Sequence, residues 1–188
     1  MKKIYKRLIN KIIILIYFLL VPVIASSAEF NKKKWTKKCN IKNENCAVGI
    51  MVTLKNNTTG IEESLATAFI QMASSIEKKM TLVDKDKKTY ALKEKKIETP
   101  VLFVYLPLGV NLTKKPLAQI DGKNILNLNF SHCNTNMGCS ANSAITDEVI
   151  KLFQSGKELN LIAEVYGKNK NVNIKLPLKG FTKSYDSF

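Results

Sequence analysis

Four cysteines and one histidine are the residues of this chain with the most chemistry to offer. The cysteines fall as two close pairs, Cys39 with Cys46 and Cys133 with Cys139, and His132 sits beside Cys133. A single histidine excludes any site that needs two imidazoles. Neither cysteine pair has the short spacing common in zinc sites, and Cys-x-x-Cys, the redox spacing, is missing. A Cys133–His132 nucleophile pair is conceivable, but neighbours on a strand point to opposite faces. Four cysteines allow three connectivities. Local pairing, 39 with 46 and 133 with 139, is the simplest, because each pair closes a small loop containing asparagine. The expectation is two structural disulfides, no catalytic residue, no metal and no cofactor. No Gly-rich phosphate loop, His-Glu-x-x-His pair or Gly-x-Ser-x-Gly elbow occurs.

Lysine is the second chemical signal. The chain of 188 residues carries 30 basic against 15 acidic residues, a net charge of +15. The one arginine is Arg7, so every basic residue beyond Lys11 is a lysine. Dedicated phosphate or base recognition favours the forked guanidinium, so no nucleic-acid partner is expected. The excess is uneven: Lys78, Lys79, Lys85, Lys87, Lys88, Lys93, Lys95 and Lys96 share residues 78–96 with only Asp84, Asp86 and Glu94. That segment is the candidate binding patch, suited to an anionic surface or to an envelope or host-surface protein. Trp35, flanked by Lys32, Lys33, Lys34, Lys37 and Lys38, reads as a core residue, since its large area favours burial. Asn-x-Ser/Thr triplets at Asn56, Asn57, Asn111 and Asn129 match the glycosylation pattern and are read as chance in an asparagine-rich chain.

The elements that must position these residues begin after an export signal. Lys2, Lys3, Lys6, Arg7 and Lys11 precede an apolar run over residues 12–24, too short to span a bilayer comfortably, and Ala25-Ser26-Ser27-Ala28 offers a cleavage site. Residues 1–28 are expected to be a signal peptide, and residues 29–188 one domain in the periplasm or at the surface, without a transmembrane span. Cleavage would remove five basic residues and no acids, lowering the charge to +10. An oxidising compartment suits the disulfides.

Within 29–188, short β-rich runs dominate. Strands are expected over residues 35–39, 47–54 and, from their position after a turn, 62–74. A hairpin with a charged tip is expected at 80–92, and a central core strand at 100–108, ending at Pro107. A second hairpin turns at Asp121-Gly122 and returns as one strand over 124–131. Extended structure resumes over 140–145, and a last hairpin covers 157–178. Thr146 caps a short helix near 146–156 with Val149, Leu152 and Phe153 on one face, and Gly156 ends it. The tail from Gly180 is expected to pack Phe181 on the sheet as a turn or short helix. The pattern is an all-β two-sheet sandwich or barrel.

Several motifs stand together in one order: Trp35 and Cys39, Cys46 opening a β run, Leu106-Pro107-Leu108-Gly109-Val110, Cys133 followed by Gly138-Cys139, the Asp147 helix, and Leu176-Pro177-Leu178-Lys179-Gly180-Phe181. In this order the chain resembles the invasion-associated locus B family of exported bacterial proteins. The resemblance implies an immunoglobulin-like β-sandwich and a non-enzymatic envelope protein. It also implies a link to host entry, because the family takes its name from a member associated with entry into red cells. It carries no catalytic residues over. Residues 76–97 look like an insertion relative to the usual spacing. A periplasmic thiol oxidoreductase using Cys133 and Cys139, and an accessory or chaperone-like envelope subunit, are the alternatives.

Overall fold

The computed structural model describes residues 34–42, 45–55, 62–84 and 89–188. The expected signal peptide and the turn at 56–60 lie outside the described residues. The described chain forms ten strands: β1 (Thr36–Cys39), β2 (Cys46–Lys55), β3 (Glu62–Asp84), β4 (Thr89–Leu106), β5 (Leu117–Ile120), β6 (Lys123–Asn127), β7 (Asn129–Asn134), β8 (Gly138–Ala144), β9 (Glu158–Glu164) and β10 (Asn171–Pro177). Helix α1 (Asp147–Ser155) lies between β8 and β9, and α2 (Phe181–Tyr185) follows β10.

The strands make two antiparallel sheets, six-stranded in the order β1-β2-β3-β4-β8-β7 and four-stranded in the order β10-β9-β5-β6. This is the expected all-β sandwich. Period-two alternation explains it. β9 and β5 bury every second residue, so Leu159, Leu161 and Ala163 join Ala118 and Ile120 on the inner face. Val48, Ile50, Ala68, Ile70, Leu102 and Val104 line the facing sheet and belong to the same core.

Trp35 closes one side of that core. It is fully buried, meets Phe153 and Phe181 edge-on with centroids 6.2 and 5.0 Å away, and its Nε1 donates to the Pro177 carbonyl at 2.8 Å. The Ser184 hydroxyl donates to the Trp35 carbonyl at 2.9 Å, which ties α2 to the start of β1.

Three expectations need correction. The runs at 62–74 and 80–83 are one strand, and so are those at 89–92 and 100–108, the latter ending at Leu106, because β3 and β4 keep pairing through the polar stretch between them. Ladder hydrogen bonds join backbones and do not require apolar side chains. The strand expected over 124–131 is two. β6 pairs with β5 and β7 with β8, in different sheets, and the chain crosses at Leu128, which is buried and donates its N–H to the Pro116 carbonyl at 2.8 Å. In α1, Ile150 and Phe153 are buried while Leu152 is exposed, so the apolar face is rotated from the one expected. The tail forms the second short helix, one of the two forms expected of it. Gly156 does end α1, for a reason of space. A Cβ there would lie 2.4 Å from Ile120 Cγ2.

Two turns show how the sequence fixes the hairpins. Asp121 and Gly122 both have positive φ (49° and 79°), as a type I′ turn requires. The Asp121 carboxylate then accepts from the N–H groups of Lys157 and Glu158 at 3.0–3.1 Å, holding the start of β9. At the β7–β8 turn, Gly138 has φ +86°, and a Cβ would fall 2.1 Å from the Leu106 carbonyl oxygen. Each disulfide closes such a hairpin. Cys39 lies opposite Cys46 in the β1–β2 register, and Cys133 opposite Cys139 in the β7–β8 register.

Three outcomes are expected. Gly138→Ala combines backbone strain with a clash and should cost roughly 2 kcal/mol, lowering the melting temperature by about 4–8 °C; an unchanged melting curve would contradict the turn. Replacing Cys133 and Cys139 together by serine should cost about 2 kcal/mol in denaturant titrations, the loop-closure value for so short a loop, with the far-ultraviolet spectrum retained. Thr146 accepts from the Val149 N–H at 3.5 Å, so Thr146→Ala should cost about 1 kcal/mol. Hydrogen bonding to Thr146 is also the main cause holding the exposed Glu148 carboxyl below its ordinary value, followed by its backbone N–H, with Lys151 adding a smaller pull. A depressed carboxyl stabilises the fold above its unfolded pKa and loses that effect as pH falls through the folded value. NMR titration of the alanine variant should therefore show the Glu148 pKa moving up.

Candidate functional site

The β3–β4 ladder outgrows the sandwich. Pairing of β3 with β2 stops at Gln71, opposite Ala47, and pairing of β4 with β8 starts at Val101, opposite Ala144. From Met72 to Asp84 and from Thr89 to Thr99 the two strands, among the described residues, pair only with each other. At about 3.4 Å per residue this is an arm roughly 40 Å long. Its outer edges carry backbone groups outside the body of the sheet, and a lone two-stranded ribbon is marginal in water.

The register sorts the arm's residues. Ser74, Ile76 and Lys78 stand opposite Glu98, Lys96 and Glu94, and the alternate positions set Ser75, Glu77 and Lys79 opposite Ile97, Lys95 and Lys93. Lys78, Lys95 and Lys96 are exposed, and Lys96 Nζ approaches Glu98 Oε1 at 2.7 Å between two largely exposed side chains. Such a pair adds little to stability. Ile76 is 62% exposed in their midst. Lys79 and Lys93 belong to the paired strands of the same arm, whereas Lys85, Lys87 and Lys88 lie outside the described residues. The fold thus collects five of the eight sequence-predicted lysines on one projecting element.

The cysteines are placed differently. All four are engaged in disulfides, so no free thiol remains. The bond between Cys133 and Cys139 lies at the end of β7, an edge strand. His132 is exposed, with Nδ1 3.3 Å from the Ser131 hydroxyl. Among the described residues no group of three His, Cys, Asp or Glu side chains gathers, and no helix is long and apolar enough to cross a membrane.

Two surface features escaped sequence reading. Residues 100–108 look uniformly apolar, yet only Leu102, Val104 and Leu106 are buried core residues. Phe103 and Tyr105 alternate with them on the outer face of the six-stranded sheet, where Phe69 stacks on Phe103 at 5.1 Å and lies 6.1 Å from Tyr105. Strict alternation within an all-apolar run gives no sign of this. The second is a set of exposed apolar side chains in the loops farthest from the arm, Leu108, Leu112 and Tyr166 among them.

The sequence matches the family described as "Invasion associated locus B (IalB) protein" over residues 68–188. No curated protein sequence matches it. Among solved structures, the invasion associated protein B of Bartonella henselae is similar in fold, with a TM-score of 0.57 and 14% identity over 84% of this chain and 92% of that one. The family match takes in β3 from Ala68 onward with the whole arm, the Leu-Pro-Leu-Gly-Val loop, the second disulfide, α1 and the closing Phe181 segment. With 121 of 188 residues matched, the chain belongs to the invasion associated locus B family.

Proposed function

We propose that this protein is an exported, non-enzymatic envelope component of the invasion associated locus B type, and that it works by surface recognition through its β3–β4 arm. The observation that carries this reading is the arm itself, a two-stranded ribbon continuing past both neighbouring strands and carrying Lys78, Lys79, Lys93, Lys95 and Lys96. A protein gains little by extending a marginal ribbon into water unless something covers it. An anionic partner, either an envelope component or a host-cell surface, would meet the lysines that the arm projects and complete the ribbon's edges by strand addition.

Export to the periplasm or surface supports the same reading through the sequence of residues 1–28, with its basic start, apolar run and small-residue cleavage site. The absence of free thiols fits an oxidising compartment. A recognition role requires no reaction centre, and the four cysteines serve as cross-links of two hairpins.

Charge reversal at the described arm lysines tests the idea. Lys78→Glu, Lys95→Glu and Lys96→Glu together should weaken capture of detergent-solubilised envelope or host-cell proteins by at least about tenfold at low salt, with the melting temperature little changed. Retention of wild-type association at low salt would sink the arm as the recognition element.

A further inference from the structure

At the end of the sandwich remote from the arm, three loops converge. β4 runs from the arm to this end, where residues 107–116 leave it. Val110 bridges to Val165, the Tyr166 N–H donates to the Gly109 carbonyl at 2.8 Å, and the Asn111 N–H donates to the Glu164 carbonyl at 2.7 Å. These bonds lock the loop at 107–116 against the β9–β10 loop at 165–170. The β7–β8 turn at 135–137 joins them, because Cys139 pairs with Leu106 and a Cβ on Gly138 would lie 3.6 Å from Pro107 Cα.

Each loop presents a large apolar side chain to solvent: Leu108 at 53%, Leu112 at 53%, Met137 at 42% and Tyr166 at 72% exposure. Single exposed apolar residues are ordinary. Four at the tips of three interlocked loops form a patch that calls for an occupant. The support beneath Leu112 is stiff. Asn111 Oδ1 accepts from the Thr113 N–H at 3.1 Å and the Thr113 hydroxyl at 2.8 Å, and Asn111 Nδ2 donates to Glu164 Oε1 at 2.7 Å.

Charge identifies the occupant. The three loops contain Lys114, Lys115, Lys168 and Lys170, all exposed, and no aspartate or glutamate. Among the described residues, the acids at this end are Glu164, engaged with Asn111, and, by their place at the start of β3, Glu62 and Glu63. A second copy of the same surface would set lysine against lysine. Apolar tips, a tyrosine and surrounding lysines are the combination that seats in a lipid interface, with the rings and aliphatic chains at the headgroup boundary and the ammonium groups on lipid phosphates.

We propose that this loop end docks on the interface of an anionic phospholipid bilayer, inserting Leu108, Leu112, Met137 and Tyr166 and pairing Lys114, Lys115, Lys168 and Lys170 with phosphates. This surface is separate from the arm and does not depend on the arm's role. Docking by this end leaves the arm pointing away from the membrane.

Vesicle binding by the purified protein processed after Ala28 tests it, with phosphatidylglycerol-containing vesicles compared against pure phosphatidylcholine. Tyr166→Trp adds a reporter at the proposed contact, while Trp35, fully buried, contributes a constant background. Its emission should shift to shorter wavelength on phosphatidylglycerol vesicles and be quenched by lipid brominated high in the acyl chain. Leu108→Ser with Leu112→Ser should weaken binding at least about tenfold. Reversing the four loop lysines to glutamate should remove the preference for phosphatidylglycerol and its salt sensitivity. The arm variant carrying Lys78→Glu, Lys95→Glu and Lys96→Glu should bind vesicles as wild type does. Emission that stays put on vesicles overturns the proposal. So does binding lost in the arm variant and kept in the loop variants, or loss of a protein partner in the loop variants without any vesicle binding.

Discussion

A single antiparallel register, running from Thr67 opposite Tyr105 to Asp84 opposite Thr89, organises this molecule. In the body it places Ala68, Ile70, Leu102 and Val104 on the inner face, where they meet the second sheet. Beyond Gln71 and Val101 the same ladder continues with no third strand beside it among the described residues. A one-residue slip would turn the inner residues outward, so the core fixes the arm's pairing as well. Burial in the body therefore sets which residues face which on the arm, although the arm itself contributes little burial. The irregularity between Leu82 and Asp84 falls near the tip, where no core residue depends on the alternation.

The remaining architecture braces this central pair. β2 and β8 flank it, and the two disulfides lie one strand further out, each at the closed end of a hairpin. α1 and α2 bring Phe153 and Phe181 onto Trp35 at one side of the sandwich. The hydrophobic effect supplies most of the stabilisation here, and it has no preferred direction. Direction comes from the polar details: Asp121 on the N–H groups that open β9, Trp35 Nε1 on Pro177, and the Asn111–Glu164 bond between two loops.

Much of this was legible in the sequence, for physical reasons that can be named. Alternation in β9 and β10, the Asp-Gly turn and the Thr146 cap are local signals, and they place their elements correctly. The lysine cluster was visible because charge density is a property of composition. Its presentation was not, because the continuity of β3 and β4 depends on backbone pairing between segments whose side chains show no apolar pattern. The break at Leu128 was hidden for the opposite reason. Leu126, Leu128 and Phe130 alternate smoothly, so nothing local marks the point where the chain changes sheets. The exposed loop leucines were unreadable as well, since Leu108 lies directly after a strand whose alternate residues are core. The family motifs held their order across the fold because Leu106 to Val110 and Leu176 to Phe181 are the two places where strand ends turn into loops tied to other elements.

Trp35 is the chain's one tryptophan, and it touches β10 and α2, the last two elements, from a position just before the first strand. Its indole is therefore an optical gauge of whether the two ends of the domain have found each other. Closure of the sandwich can be followed by intrinsic fluorescence with no label, and fraying of the carboxyl-terminal segment would register there before any strand is lost.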